Sequence, residues 1–368
     1  MIKLLVLLAI SLVLAYISQQ HTVAITAAGH RYSVRNDWAY ILLVVALTLF
    51  TGLRIHYNDT QNYIRGFYNN PGLAAFLSNP KNLHPLKNPL FFTFENLLKD
   101  LTDNAQILIF TTSLFAQCCF IKFIKRYSAN FPFGIFLYFT LGTFALSMAA
   151  IKQVSAMAIL TLAIPCLEKK QLARYYLLVF CAMLVHTYAI IFAVLPFFTQ
   201  KPWGTFTYIF VIAVVILMGN FREVISAFLE QADEMGKNIA EYEVFDDNTI
   251  NIFRIAVYAV PPLISFVFQK WIFHRSSDIK HVLVHMSIIS LAFMAMGTQS
   301  GANMFGRMAN YFELGTVCCL PWMLEKPFDR RSHKLILAIA AVCFLGFFLY
   351  ANKDFGSHYS ATNLLSLF

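Results

Sequence analysis

Four basic residues stand at or near the ends of long apolar stretches, where a side chain is able to meet a charged substrate. They are Arg54, Lys152, Arg254 and Arg307. An arginine guanidinium binds phosphate oxygens through two parallel hydrogen bonds, and a lysine ammonium adds a compact charge. If these cations lie at one membrane depth, they predict a site for a polyanion such as a diphosphate. The alternative, strongest for Arg254, is a side chain that only extends to lipid headgroups.

Two further residues have the chemistry of a general base. Asp59 follows Arg54 closely, and His186 interrupts a long apolar stretch. A carboxylate or an imidazole is able to accept a proton from a substrate hydroxyl. The alternatives are that Asp59 only pairs with Arg54 and that His186 only forms a hydrogen bond between helices. Polar residues near these positions are candidates for substrate binding, namely His56, Tyr63, Gln153 and Tyr311.

The elements that must position these residues are membrane-spanning helices. Hydrophobic residues make up 58% of the chain and charged residues 13%, whereas a soluble domain carries roughly 25% charged residues. Too few polar residues remain to cover a soluble core of this size. Each long apolar block approaches the ~20 residues that cross a bilayer, so the sequence predicts an all-α, polytopic transmembrane helical bundle. The clearest blocks are 1–18, 37–53, 105–121, 203–219 and 333–351.

The number of crossings follows from the basic loops between the apolar blocks. Short loops rich in Lys and Arg stay in the cytoplasm. Keeping all four such loops on one side requires two short segments, turning near His186, within 173–199. The prediction is about 10–12 spans in a single membrane domain covering 1–368, with ~20 residues in an ordinary span. The first block is predicted to be a membrane anchor rather than a cleaved signal peptide. The four basic loops lie near 122–126, 169–174, 270–280 and 326–334.

With this topology the connections 54–104 and 220–250 face the outside. In the first, four apolar residues recur at helical spacing, and Glu95 is placed away from their face. The second carries an apolar face followed by an acidic run. Both patterns indicate amphipathic helices lying at the membrane interface. The four apolar residues of the first connection are Phe91, Phe94, Leu98 and Leu101.

Several function classes find no support in the sequence. The seven cysteines form no C-x-x-C pair and no metal-like spacing with histidine, so no metal site is predicted. There is no P-loop, dinucleotide-binding glycine pattern or zinc-protease motif, and no cofactor is expected. The net charge of +9 is scattered between apolar blocks rather than gathered into a patch, so nucleic acid is not an expected partner.

Taken in order, the polar residues resemble the motifs of the EpsG and Wzy-type bacterial polysaccharide polymerases, which are related to O-antigen polymerases. The first motif is Gly52-x-Arg54 at the end of an early span, followed by Asp59 and then by Tyr63. Asn58 stands where the family often has a glycine before the aspartate.

The remaining motifs extend the resemblance over most of the chain, from about 45 to 325. Lys152-Gln153 opens a helix rich in small residues, although arginine is commoner than lysine at this position in the family. His186 matches a histidine inside a paired hydrophobic stretch. Arg307, with Tyr311 four residues later, matches a motif near the penultimate span.

The resemblance implies glycan transfer at the outer face of the bacterial inner membrane. Such polymerases move a growing chain from its undecaprenyl diphosphate carrier to the next lipid-linked repeat unit, without a nucleotide sugar or ATP. The expected partners are the undecaprenyl-diphosphate-linked oligosaccharide, membrane lipids, a flippase and a chain-length regulator. Capsule, exopolysaccharide or O-antigen synthesis is the expected setting.

The resemblance also implies roles for individual residues. Arg54, Lys152 and Arg307 would stabilise charge on the departing diphosphate. Asp59, or alternatively His186, would accept the proton of the acceptor hydroxyl. The tyrosines of the two motifs, Tyr63 and Tyr311, would orient sugars or support the arginines.

Two other functions remain open from the sequence. The first is a flippase or transporter of the same lipid-linked oligosaccharide, and the second is a glycan ligase or an acyltransferase. Transporters place polar groups near the midplane of broken helices and often contain an internal repeat, and this sequence shows no persuasive repeat. A ligase would use similar cations, so the residues alone do not separate it from a polymerase.

Overall fold

The computed structural model describes residues 1–27, 36–220, 249–299 and 301–363. Within these ranges the structure is helical apart from one pair of short strands. Five helices are long and apolar enough to cross a membrane, a bent helix pair offers a sixth crossing, and five further apolar helices are shorter. The predicted all-α, polytopic bundle is therefore confirmed, and the chain is a multi-pass membrane protein.

The elements follow one another along the chain with short connections. In order they are α1 (Ile2–Ala27), α2 (Trp38–Gly52), β1 (Arg54–His56), α3 (Thr60–Asn69), α4 (Leu73–Leu77), the 3₁₀ turns Pro80–Leu83 and Pro85–Lys87, α5 (Pro89–Leu101), α6 (Gln106–Tyr127), α7 (Phe131–Thr140), α8 (Thr143–Ala149), α9 (Ile151–Glu168), α10 (Leu172–Val185), the 3₁₀ helix Thr187–Phe198, α11 (Thr205–Gly219), α12 (Ile252–Val267), α13 (Gln269–Ile272), α14 (Asp278–Met296), α15 (Ala302–Asn310), α16 (Glu313–Glu325), α17 (Arg330–Ala351), α18 (Phe355–His358) and β2 (Ser360–Ala361).

The helices form two compact units. Unit 1 contains Met1–Ile190 together with Ala338–Phe368, and unit 2 contains Ile191–Leu337. The single functional domain expected from the sequence stays a prediction. The two units are described one at a time below.

One end of unit 1 is held together by a buried ion pair. The Lys125 ammonium lies 3.2 Å from an Asp37 carboxylate oxygen, and the Ser18 hydroxyl donates a hydrogen bond to the same carboxylate at 2.7 Å. Close to this pair in sequence, Arg126 donates to the Glu168 carboxylate at 2.9 Å. The ends of α6 and α9, next to two of the predicted cytoplasmic loops, are therefore joined by this contact.

The other end of unit 1 brings the last turn of α2 against the start of α6. The Gln106 side-chain amide donates to the carbonyl oxygens of Gly52 at 2.6 Å and Arg54 at 3.1 Å. The two helices run antiparallel, because α2 starts beside the ion pair that lies near the end of α6. At Gly52 they approach closely, since an added Cβ would lie 2.9 Å from the Phe110 ring and 3.2 Å from its Cα.

The long connection after β1 is largely structured. In α5, Phe91 and Leu98 are buried as predicted, but Phe94 and Leu101 are exposed and Glu95 is buried. The predicted apolar face is therefore wrong in Phe94 and Leu101. The physical reason is that α5 turns Glu95 into the interior, where the Lys152 cation offsets part of the cost of burying a carboxylate.

The apolar stretch 173–199 forms two segments, as predicted. Helix α10 ends at Val185, His186 has an extended backbone, and the second segment follows as a 3₁₀ helix. Thr187 fixes this turn, because its backbone N–H and its hydroxyl each donate to the Asn88 side-chain oxygen at 3.1 Å. The position of His186 is therefore set by the loop that precedes α5.

Unit 2 is built around α14, against which α12, α15 and α16 pack. Two buried histidines on α14 bind hydroxyl groups from neighbouring segments. His281 Nε2 lies 2.8 Å from the Ser276 hydroxyl, and His285 Nε2 lies 2.9 Å from the Thr207 hydroxyl. The second predicted external loop, 220–250, lies outside the described residues except at its ends.

Replacing Asp37 with alanine should destabilise unit 1, because it leaves the mostly buried Lys125 ammonium without its counter-ion. Removing one partner of a buried pair costs about 3–5 kcal/mol, so we expect a clear fall in the unfolding temperature of the detergent-purified protein. The matched control is Asp103→Ala, which removes the exposed pair with Lys99 and should leave that temperature unchanged. Equal falls in the two variants would contradict the assignment.

Candidate functional site

Arg54 lies on β1 and has no exposed surface. Its Nε donates to the Thr60 hydroxyl at 3.1 Å, and its Nη1 donates to the Ser113 hydroxyl at 3.0 Å. Nη1 also donates to the Thr51 carbonyl oxygen. These acceptors belong to α3, α6 and α2, so the guanidinium joins three helices at one point.

Gly52 explains how α6 comes close enough for this contact. Ser113 lies three residues after Phe110 and therefore on the same face of α6. Because Gly52 has no side chain to hold Phe110 away, the Ser113 hydroxyl reaches the guanidinium. The glycine of the first sequence motif thus has a structural role in placing the arginine two residues later.

The third guanidinium nitrogen of Arg54, Nη2, is buried and has no hydrogen-bond partner among the described residues. An unpaired buried donor costs about 1–3 kcal/mol, and more when it is charged. Burial lowers the pKa of Arg54 to about 10, while the nearby phenols of Tyr359, Tyr63 and Tyr57 act in the opposite direction. The group remains cationic at neutral pH, so it presents an unsatisfied cationic donor that an anion is able to bind.

Lys152 is the second cation at this end of unit 1. It is half-buried at the start of α9, and its ammonium lies 5.1 Å from the centre of the Phe92 ring, 5.9 Å from that of Phe91 and 6.0 Å from that of Tyr63. Its backbone N–H donates to the Tyr63 hydroxyl at 3.5 Å. The first N–H groups of a helix also favour an anion, so the start of α9 is suited to bind phosphate.

Tyr63 connects the two cations. It interacts electrostatically with Arg54 and lies beneath the Lys152 ammonium. The structure therefore brings together three of the predicted site residues, and Gln153 is buried directly after Lys152.

Glu95 belongs to the same cluster and was not predicted as a site residue. It is 2% exposed, and burial raises the pKa of its carboxyl, with Asn70 and Lys152 acting in the opposite direction. The sequence does contain a signal for its burial. Glu95 lies four residues after Phe91 and three before Leu98, which places it on their helical face.

Asp59 and His56 lie on either side of the turn between β1 and α3. Asp59 is half-buried at the N-cap of α3, and its side chain makes no capping hydrogen bond. No ion pair within 4.0 Å joins it to Arg54 in the described part of the chain, so the simple pairing considered from the sequence is not seen. His56 is exposed, and its Nδ1 lies 2.9 Å from the His358 carbonyl oxygen.

His186 is half-buried at the turn after α10, with its ring centre 5.3 Å from that of Tyr188. The Thr187–Asn88 hydrogen bonds attach this turn to the start of α5. α5 also carries Phe91, which contacts Lys152. His186 is thus connected to the cation cluster through α5.

In unit 2, Arg254 binds the junction between α15 and α16. Its Nη2 donates to the Asn310 side-chain oxygen at 3.3 Å, and its guanidinium carbon lies 5.6 Å from the centre of the Tyr258 ring. The Tyr258 hydroxyl donates to the buried Glu313 carboxylate. Arg254 is half-buried in this network, so it does more than extend to lipid headgroups.

Arg307 and Tyr311 flank this network. Arg307 is half-buried on α15, and Tyr311 is buried just after the end of that helix, one turn later. The expected convergence of Arg307 with Arg54 and Lys152 stays a prediction, because these residues belong to different units.

Unit 2 also contains an apolar cavity with a volume of about 500 Å³. Phe312, which follows Tyr311 directly, forms part of its wall and stacks on Phe192 at a centroid distance of 5.0 Å. The lining is almost entirely hydrocarbon, so the cavity suits an apolar chain rather than a sugar. Other lining residues are Val194, Phe210, Leu217, Phe293 and Met296.

The described residues contain no group of three or more His, Cys, Asp or Glu side chains arranged to hold a metal ion. The chemistry available at the cation cluster of unit 1 is therefore that of its own side chains. These supply two positive charges, aromatic rings and carboxyl groups.

Comparison with known proteins shows the family of the chain. The model of the EpsG family matches residues 37–365. This chain belongs to the EpsG family. The EpsG family comprises polysaccharide polymerase-like membrane proteins, and the match includes every residue of the cation cluster. No curated protein and no solved structure matches the chain.

The buried carboxyl of this EpsG-family protein gives a pH-dependent prediction. Since burial raises the folded-state pKa of Glu95, its contribution to stability is fully present below the unfolded pKa of about 4.3 and is lost as pH rises through the folded pKa. Glu95→Gln keeps the shape without the charge. We expect it to unfold a few degrees above wild type at a pH of about 8 and at the same temperature as wild type at a pH of about 3.5.

Thermal unfolding in detergent, followed over this pH range, checks the prediction. An equal difference between Glu95→Gln and wild type at every pH would show that the carboxyl does not titrate as proposed.

Proposed function

We propose that this chain is a polysaccharide polymerase that moves a glycan chain from undecaprenyl diphosphate to a lipid-linked repeat unit at the outer face of the bacterial inner membrane. The observation that carries the proposal is the unpaired Nη2 of the buried Arg54 guanidinium, which Tyr63 connects to Lys152. Arginine and lysine donors in a site of low dielectric bind phosphate oxygens strongly. Membership of the EpsG family supports the same reaction class.

The proposed reaction is a displacement at the anomeric carbon of the growing chain. The acceptor hydroxyl oxygen forms the new glycosidic bond, the bond from the anomeric carbon to the diphosphate oxygen breaks, and the diphosphate leaves with the electron pair. Arg54 and Lys152 stabilise the charge that develops on the diphosphate, as preorganised cations do in other transferases. The diphosphate is itself the leaving group, so no nucleotide is needed.

The proton of the acceptor hydroxyl passes to Asp59 in this proposal. Its carboxylate lies at the start of α3, the helix that also carries Tyr63, and it is not used as a helix cap. His186 is the second candidate, because the Thr187–Asn88 contact attaches its turn to the start of α5. Gln153 and His56 are proposed to bind sugar hydroxyls near these groups.

In unit 2 we assign a role in binding the lipid-linked substrates. Arg254, Arg307 and Tyr311 offer cationic and phenolic groups around the α15–α16 junction. The cavity beside Phe312 is long-chain in character and suits part of an isoprenoid tail.

Removing the charge of Lys152 should stop chain growth without unfolding the protein. We expect Lys152→Met to lower polymerisation about 10²-fold, the usual effect of losing one group that stabilises transition-state charge. Arg54→Lys should have a similar effect, because it keeps the charge but loses the guanidinium fork. The measurement is the polysaccharide ladder on a gel, from cells that lack the gene and carry each variant at equal membrane abundance.

Two matched variants control this experiment. Lys152→Arg keeps a cation over the aromatic rings and should retain most chain growth. Lys99→Met removes a lysine that lies over Phe67 and Tyr68 on the same α5 segment and should leave the ladder unchanged. A normal ladder from Lys152→Met would overturn the assignment. Loss of all surface glycan, with lipid-linked units retained inside the cell, would indicate a flippase instead.

The base assignment makes a separate prediction. Asp59→Asn keeps the size of the side chain and the polar start of α3 but removes the proton acceptor, so we expect chain growth to fall by about 10²–10⁴-fold. His186→Asn should reduce it less. The same ladder assay at equal protein abundance measures both, and the reverse order of effects would identify His186 as the base.

A further inference from the structure

A C-terminal segment covers the strand that carries Arg54. This segment, residues 355–362, is called the C-terminal strap. Its strand β2 pairs antiparallel with β1, so that Arg54 lies opposite Ala361. One residue further along, the Thr362 backbone N–H donates to the Leu53 carbonyl oxygen at 2.8 Å. The strap thus lies along the whole of the Arg54 segment.

Aromatic rings complete the cover. The Tyr359 ring stacks on Phe50, with centroids 4.6 Å apart and planes 8° from parallel, and its hydroxyl donates to the Phe50 carbonyl oxygen at 2.7 Å. Phe355 lies 5.1 Å from Tyr359 and 5.3 Å from Tyr57, measured between ring centres. The phenols of Tyr359 and Tyr57 interact electrostatically with Arg54, so the sealed guanidinium lies directly behind these rings.

The contacts of the strap are of a kind that opens reversibly. A pair of strands this short is marginally stable by itself, and residues 356–358, 360 and 361 are exposed. The guanidinium does not depend on the strap for its position, because Thr51, Thr60 and Ser113 hold it from the helices. The strap is therefore able to leave while Arg54 stays in place.

We propose that the C-terminal strap is a lid over an anion-binding site, in which Nη2 of Arg54 is the donor and a diphosphate is the ligand. This explains why a fully buried arginine keeps a donor without a partner. The lid and the anion site stand on the contacts above. Their use for the carrier diphosphate rests on the proposed function.

The direct test measures whether Arg54 becomes accessible. Phenylglyoxal modifies exposed guanidinium groups, and mass spectrometry of the peptide that contains Arg54 gives the rate in the full, detergent-purified chain. Leu53→Cys with Thr362→Cys places a cysteine pair on directly opposed positions, where Cα separations of about 4.5–5.5 Å suit a disulfide. Oxidation locks the strap and reduction releases it. The exposed Arg65 is the internal reference.

The expected result is slow modification of Arg54 in the wild type and in the reduced double variant, and modification at least about tenfold slower in the oxidised one. Inorganic diphosphate should protect Arg54 but not Arg65. Tyr359→Phe keeps the ring and removes the hydroxyl that binds Phe50, so it should speed modification by roughly fivefold. Each single-cysteine variant, which cannot form the lock, should behave like the wild type under oxidation.

Three results would overturn the proposal. Equal rates in the oxidised and reduced double variant would show that the strap is not the barrier. Complete resistance of Arg54 in every sample would show that the strap does not open. Modification that inorganic diphosphate leaves unchanged would remove the anion site.

A second readout separates this inference from the proposed function. In cells, the oxidised lock should shorten the polysaccharide ladder, and a thiol reductant should restore it. If the lock controls the labelling of Arg54 but leaves the ladder unchanged, the lid stands and its use in polymerisation is wrong. If labelling and ladder both ignore the lock, the lid itself is wrong.

Discussion

A cation buried away from water needs compensating hydrogen bonds, and in unit 1 this requirement fixes three helices around Arg54. Desolvating an ion costs several kcal/mol even after relaxation, so its acceptors must be held close. Thr51, Thr60 and Ser113 supply them from α2, α3 and α6. Gly52 then follows from the same requirement, because any larger residue would hold α6 and its hydroxyl away.

The two cations of this cluster differ in how they are held, and the difference suits different tasks. Arg54 is bonded on two of its three nitrogens and cannot move far, whereas Lys152 is half-buried on a flexible stem among aromatic rings. A fixed fork orients an anion, and a mobile point charge is able to follow it as it departs. Tyr63 lies between them and Glu95 limits the net positive charge.

The sequence was sufficient for the features that depend on local pattern. Apolar block length predicted the all-α membrane bundle, and the position of charges at block ends predicted Arg54 and Lys152, which Tyr63 links in the structure. The inward turn of Glu95 was missed, because charge alone argued for exposure despite its spacing from Phe91. The strap could not be foreseen, since the Tyr359 contact joins residues 309 positions apart and a two-residue strand has no period to read.

The contact between Asn88 and Thr187 has a consequence for how the chain enters the membrane. The residues it joins are 99 positions apart, so Asn88 is made long before the segment that it turns. From its own sequence, 173–199 is able to insert as one long helix, and only the earlier loop divides it at His186. The orientation of every later crossing then depends on whether that loop is already folded, which makes the order of synthesis part of the topology.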